Sequence, residues 1–225
     1  MSLVSDALVL TAKDLRVELR TRDALTAGGA LAGVALVVVG LALGPDLARL
    51  RSLAPSLTWI ALLYAAIAMA DRLEQIDRRD DAFSALWLTL GDRRSIYVGR
   101  VLSLTLVLTG LQLALWALAS FLLNVVPAPA LAALVPLSAV TSYCAATVTA
   151  TVTALVAASR QRTLLMPVLL LPLLVPTLLG GVQASSAVLN GQPAEAIGWL
   201  AVLVAQSALF IGLGLLSYEA AATPE

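Results

Sequence analysis

The chain has 225 residues, 60% of them hydrophobic and 12% charged, and its fourteen basic and fourteen acidic side chains cancel to zero net charge. A soluble domain of this length keeps roughly a quarter of its residues charged, so the polar side chains here cannot cover a water-exposed surface, and a mean hydropathy of +0.94 agrees. Neutrality removes the basic face that nucleic-acid binding needs, the lone Cys144 cannot form an internal disulfide, and histidine is absent.

In chain order, the first element is Val4 to Arg22. Leu8, Ala12, Leu15 and Leu19 recur at helical spacing, while Asp14, Arg16, Glu18, Arg20 and Arg22 fall largely elsewhere. This pattern predicts an amphipathic helix lying in the headgroup plane. A solvated amino-terminal helix is the competing reading. The apolar run Ala24–Leu43 comes next. No small-x-small cleavage site separates it from a soluble region, so it is read as a retained span. Its Gly29 and Gly33 make a small-xxx-small pair, a candidate for close helix packing.

A helix rises 1.5 Å per residue, so crossing ~30 Å of hydrocarbon takes about 20 apolar residues. On that measure the later spans are Ala54–Ala70, Val101–Leu123, Leu131–Ala157, Leu164–Leu189 and Ala196–Ser217, giving six in all. Between the second and third lies a loop, 71–99, too charged to enter lipid, with an apolar insert at Ala82–Leu90. Asp80 or Asp81 can cap a short helix there, and Phe83, Leu86, Trp87 and Leu90 then share one face. An exposed face of that kind must fold back onto the bundle or dock on a partner. The fifth span carries Pro167, Pro172 and Pro176. Proline removes a backbone donor and clashes with the preceding turn, so Pro172 and Pro176, one turn apart, predict a kink and a hinge. Gly180, Gly181, Gln183, Ser185 and Ser186 then admit a break into short re-entrant pieces, which membranes tolerate only beside protein or a watery cavity. A kinked packing helix competes with that reading.

Translocated loops avoid Lys and Arg. Lys13, Arg16, Arg20 and Arg22 precede the first span, and Arg72, Arg78, Arg79, Arg93, Arg94 and Arg100 belong to the 71–99 loop and the helix entrance after it. Arg160 and Arg162 follow the fourth span, whereas the opposite loops hold only Arg49 and Arg51. Six spans then place both termini in the cytoplasm, and the chain reads as one domain over 1–225.

Several chemistries are excluded. No phosphate-binding Gly-x4-Gly-Lys-Ser/Thr loop exists, and Lys13 is the only lysine. Without histidine there is no His-Glu-x-x-His metal site, Ser-His hydrolase or histidine-ligated haem. No carboxylate lies mid-span, which disfavours proton coupling and two-aspartate proteolysis. A bundle with no engine and an amphipathic loop helix fits a transporter subunit driven by a separate ATPase.

Several stretches together resemble the CcmB family of cytochrome c maturation proteins, also called haem exporter protein B. They are the basic start Lys13–Arg22; Leu43-Gly44-Pro45 and Leu53-Ala54-Pro55 with Trp59–Leu63; Asp71-Arg72-Leu73; Asp80–Leu90; and Val152–Arg162 with Leu164–Pro176. The likeness covers nearly the whole chain in order. It departs at Asp81-Ala82-Phe83-Ser84, where the family has Asp-Gly and a nearby Glu, at Leu90–Arg94, where the family is proline-rich, and at Gln161 and Thr163, where it has paired glycines.

The resemblance implies an all-α membrane permease of the ABC-2, type V exporter-like class in the bacterial inner membrane, non-catalytic in itself. It implies pairing with a CcmA-type ATPase, two copies of each, beside CcmC- and CcmD-type membrane proteins and the periplasmic haem chaperone CcmE. ATP then belongs to the partner, and haem is cargo rather than a bound cofactor. In this picture Asp80, Asp81, Phe83, Leu86, Trp87 and Leu90 couple to the ATPase, and Arg78, Arg79, Arg93 and Arg94 contact headgroups or acidic partner residues. The alternatives are a permease of the same class for another substrate and a non-moving scaffold for haem-handling proteins.

Overall fold

Helices of near-membrane length follow from the apolar runs, because a lipid-facing backbone must satisfy its own hydrogen bonds. The computed structural model describes residues 3–21, 23–44, 46–79, 94–123, 126, 128–156 and 162–220. Among these are seven helices: α1 (Leu3–Thr21), α2 (Asp23–Leu43), α3 (Leu47–Arg79), α4 (Arg94–Leu123), α5 (Ala128–Val156), α6 (Arg162–Leu189) and α7 (Pro193–Ala220). The protein is therefore an all-α membrane protein.

Five of the helices are long and apolar enough to cross a bilayer, over Ala48–Ala70, Arg94–Phe121, Ala130–Val156, Leu164–Leu189 and Pro193–Ser217. The expected first span corresponds to α2, a helix of 21 residues over Asp23–Leu43.

The second span starts earlier than its apolar run. Asp46 caps α3 by accepting the Arg49 backbone N–H at 3.2 Å and pairs with the Arg49 guanidinium at 3.1 Å. An aspartate at this position satisfies one of the orphan donors of the first turn, and the helix then runs through Pro55. Arg49 and Arg51 thus stand on α3 rather than in a loop. Arg100, expected at a helix entrance, is instead the seventh residue of α4 and is buried.

Of the two readings of the fifth span, the structure bears out the unbroken one: α6 is one helix past all three prolines. Pro172 and Pro176 lie on its exposed side, away from the packed face. In the turn that Pro176 interrupts, the Leu173 carbonyl accepts a hydrogen bond from Gln206 Nε2 of α7 at 3.1 Å. Neighbouring helices commonly re-satisfy a proline-disturbed turn in this way. Gly180 and Gly181 are contact residues rather than flexible joints: a Cβ on Gly180 would sit 2.8 Å from Leu203 Cδ2. The helix ends where Gly191 adopts φ +74 and Gln192 N–H reaches the Ala187 carbonyl at 2.8 Å. These are the bonds of a glycine C-cap, and Pro193 then opens α7.

α5 is the central element, packed against α4, α6 and α7, with α3 behind. Its span is 56% buried, against 22% for the peripheral α7. Its hydroxyls are accommodated by back-bonding within the helix, as in Thr141 to the Leu137 carbonyl at 3.0 Å and Thr153 to the Thr149 carbonyl at 2.7 Å. Cys144 is fully buried, its Sγ 3.5 Å from Thr177 Oγ1 of α6.

α1 lies against α4, with Ala7, Leu10 and Thr11 buried. Of the expected apolar stripe, Leu8 and Ala12 are exposed and Leu15 is half-buried.

Candidate functional site

The charged loop that sequence analysis singles out is bracketed by α3 and α4. Arg78 and Arg79 are the last two residues of α3, and Arg94, exposed, is the first of α4. Asp80, Asp81, Phe83, Leu86, Trp87, Leu90 and Arg93 lie outside the described residues. What the structure does describe is how the two flanking helices are held.

The start of α4 is gripped from two sides. One turn beyond Arg94, the Tyr97 hydroxyl donates to the Phe210 carbonyl of α7 at 3.2 Å and sits 3.2 Å from Thr151 Oγ1 of α5. Thr151 in turn donates to the same Phe210 carbonyl at 2.9 Å. The tyrosine ring occupies the space that a side chain on Gly214 would need, so only glycine lets α7 approach this closely. From the other side, Thr11 of α1 donates to the Gly99 carbonyl at 3.2 Å. A Cβ on Gly99 would lie 2.9 Å from Leu10 Cβ and 3.1 Å from the Ala7 carbonyl oxygen.

α3 is anchored farther up the bundle. Trp59 and Arg79 are twenty positions apart, which at 1.5 Å per residue separates them by about 30 Å along the helix. Trp59 is fully buried and its indole N–H donates to Ser185 Oγ of α6 at 2.7 Å. Its ring lies against Gly181, where a Cβ would come within 2.9 Å of both the indole and Thr141 Cγ2 of α5. Nearby, the Gln112 amide of α4 donates to the Thr58 carbonyl and accepts from the Trp116 indole, both at 3.2 Å. Every polar atom in this node is neutral, and no titratable side chain takes part in these hydrogen bonds.

Of the other residues singled out in the sequence, Gly29 and Gly33 face α4. A Cβ on each would meet Leu111 at 3.6 Å and Leu118 at 3.7 Å, ordinary packing distances, so the α2–α4 contact is within the chain and tolerates alanine. Pro172 and Pro176 are not gathered with the loop; they stand on the exposed face of α6.

Sequence reasoning missed the hydroxyl seam of the core. The side-chain hydroxyls of Ser138, Ser142 and Thr149 on α5 and Thr109 on α4 are buried without a hydrogen-bond partner. The three on α5 share one face, within an arc of about 40° at 100° per residue. Their spacing of four and then seven was the available signal, masked by the general abundance of Thr and Ser in this span. No acidic residue lies within Ala48–Ala70, Arg94–Phe121, Ala130–Val156 or Leu164–Leu189, so the seam offers hydrogen bonds and no general acid or base.

Comparison with known proteins gives one consistent result. A family model described as CcmB protein matches residues 5–223. The chain is 32% identical over 198 residues to Heme exporter protein B of Bradyrhizobium diazoefficiens, covering 81% of this chain and 82% of that protein. It is 28% identical over 195 residues to Heme exporter protein B of Paracoccus denitrificans, covering 86% and 89%. With Heme exporter protein B of Pseudomonas aeruginosa the identity is 27% over 198 residues, covering 88% of each chain.

Proposed function

We propose, from the premise that this chain belongs to the CcmB protein family, that it is the membrane subunit of a haem-export complex serving cytochrome c maturation. The observation that carries this reading is the near full-length match to that family together with relatives named Heme exporter protein B. It is a transport subunit and not a catalyst; ATP is hydrolysed by a separate CcmA-type ATPase, two copies of each chain forming the core. CcmC- and CcmD-type membrane proteins and the chaperone CcmE complete the pathway, with the chain in the bacterial inner membrane and both termini cytoplasmic.

The coupling runs through the helices that flank the charged loop. Closure of the ATPase pair on ATP moves the Asp80–Leu90 segment, with Phe83, Leu86, Trp87 and Leu90 as apolar anchors and Asp80 or Asp81 as its cap. Arg78, Arg79, Arg93 and Arg94 hold headgroups or acidic partner residues around it. That displacement tilts α3 and α4. Through Trp59, Ser185 and Gly181, α3 is packed on α6, where Pro172 and Pro176 supply the hinge. The far side of the bundle then releases haem or haem-loaded CcmE. An aspartate placed on an apolar docking face carries a desolvation cost of several kcal/mol. Trp87→Asp is therefore expected to abolish ATPase co-purification while leaving the chain in the membrane.

The deciding experiment is a pull-down of the tagged chain from detergent-solubilised membranes of its own host, with ATPase activity assayed on the eluate. Recovery of a small Walker-motif ATPase with CcmC- and CcmD-like proteins is the expected result. An ATPase without them keeps a permease and removes the haem pathway; no ATPase at all, under conditions that preserve other ABC complexes, removes the permease reading.

A further inference from the structure

The charges of α1 are sorted by side. At 100° per residue, Lys13, Arg16 and Arg20 fall within an arc of about 60°, and all three are exposed. Asp14 and Glu18 lie on the opposite side, toward α4, with Glu18 buried. Asp6, two turns before Lys13, is buried and accepts from Ser5 Oγ at 3.3 Å. Among the described residues, Lys13, Arg16 and Arg20 have no ion pair. Like charges three and four positions apart on a helix repel one another, and no ion pair among the described residues relieves these two pairs. A groove of about 400 Å³ runs along this face, with Val9, Ala12 and Val17 between the bases.

A second groove, of about 470 Å³, opens beside α1 and is lined by apolar residues. It is lined by Leu15 of α1, Gly29 of α2, and Gly110, Leu111, Ala114 and Leu118 of α4 among others. Gly110 and Leu111 are midway along α4, which is the depth of hydrocarbon. A Cβ on Gly110 would meet nothing within 4 Å, so the groove wall there is open.

Three cations on one face, with no ion pair among the described residues, and an apolar channel on the flank of the same helix match an anion that carries hydrocarbon tails. A free phosphate would use the first feature and leave the second without purpose. An acidic protein surface would have no use for a channel at membrane depth. We propose that α1, α2 and α4 form a binding site for one anionic phospholipid, its phosphate held by Lys13, Arg16 and Arg20 and an acyl chain lying in the Gly110–Leu111 groove. This inference stands on α1 and its neighbours and is independent of the cargo.

The test is electron spin resonance on the purified full chain in phosphatidylcholine bilayers, comparing spin-labelled phosphatidylglycerol with spin-labelled phosphatidylcholine of the same chain length. The expected selectivity is about fivefold for the anionic lipid, since each basic side chain at the interface attracts anionic lipid. K13Q/R16Q/R20Q is expected to bring the ratio close to one, R16K/R20K to keep it, and R49Q/R51Q at the other end of the bundle to leave it unchanged. Gly110→Trp, which fills the groove, is expected to reduce the immobilised phosphatidylglycerol. A ratio near one for the unmodified chain overturns the proposal, as does a ratio that survives the triple glutamine variant. Immobilisation indifferent to Gly110→Trp reduces the site to a headgroup patch and overturns it, and loss of selectivity in excess inorganic phosphate assigns the face to a soluble anion instead.

Discussion

Gly181 marks the point where α3, α5 and α6 converge, and its missing side chain is the space that the Trp59 ring fills. A methyl group there has no room, because the contact is with a rigid indole and a β-branched threonine. Overpacking of this kind costs about 1–3 kcal/mol, so Gly181→Ala is expected to lower the thermal midpoint of the purified chain clearly. In a Trp59→Phe background the smaller ring makes way, and the same substitution is expected to cost much less. Equal losses in both backgrounds would show that the glycine matters for its backbone and not for the contact. Thr149 presents the opposite case. Its buried hydroxyl has no partner, while its carbonyl is already used by Thr153. Thr149→Val removes an unpaired polar group without changing shape and is expected to raise stability by about 1 kcal/mol, measured by the same melting assay.

At the scale of elements, the apolar runs announced the five helices long enough to cross a bilayer, because an apolar helix of that length satisfies its own backbone in lipid. The ends were harder. Asp46 as a cap and Pro193 after Gly191 were visible signals, but an apolar-run reading stops at the last hydrophobic residue and misses the polar turns that extend α3 and α4. The prolines of α6 suggested a kink and left a break open; the sequence of α6 alone does not show that Gln206, thirty-three positions away, meets the Leu173 carbonyl. Contacts between helices are generally of this kind. Tyr97 on Gly214 and Trp59 on Gly181 depend on which faces meet, and an Ala/Leu/Val-rich span gives no periodicity to decide that. The 80–93 segment carries an amphipathic spacing in the sequence but lies outside the described residues; the structure gives its flanks, where α3 ends and α4 begins. If Pro172 and Pro176 serve as the hinge, replacing both with alanine restores two backbone donors, each hydrogen bond contributing about 1 kcal/mol. The double variant is expected to melt higher as an isolated chain and to slow ATP turnover in the assembled complex. Unchanged turnover would confine the prolines to packing.

Across the whole molecule, basic side chains are concentrated at the end that holds α1, the close of α3 and the start of α4, leaving Arg49 and Arg51 at the other. This asymmetry predicts sidedness that chemistry can read. On a Cys144→Ala background, Gln192→Cys in the exposed turn between α6 and α7 is expected to react with a membrane-impermeant maleimide in intact spheroplasts. Lys13→Cys is expected to react only after permeabilisation; the reverse pattern would invert the proposed topology. The unmodified protein offers a complementary readout. Its single thiol, Cys144, lies at the heart of the bundle against Thr177, with no surface in contact with solvent or lipid. A thiol-activated dye therefore stays dark while α5 and α6 remain together and lights up as they part. The native chain thus carries a built-in gauge of its own integrity, by which detergents, lipids and partner proteins can be ranked without altering a residue.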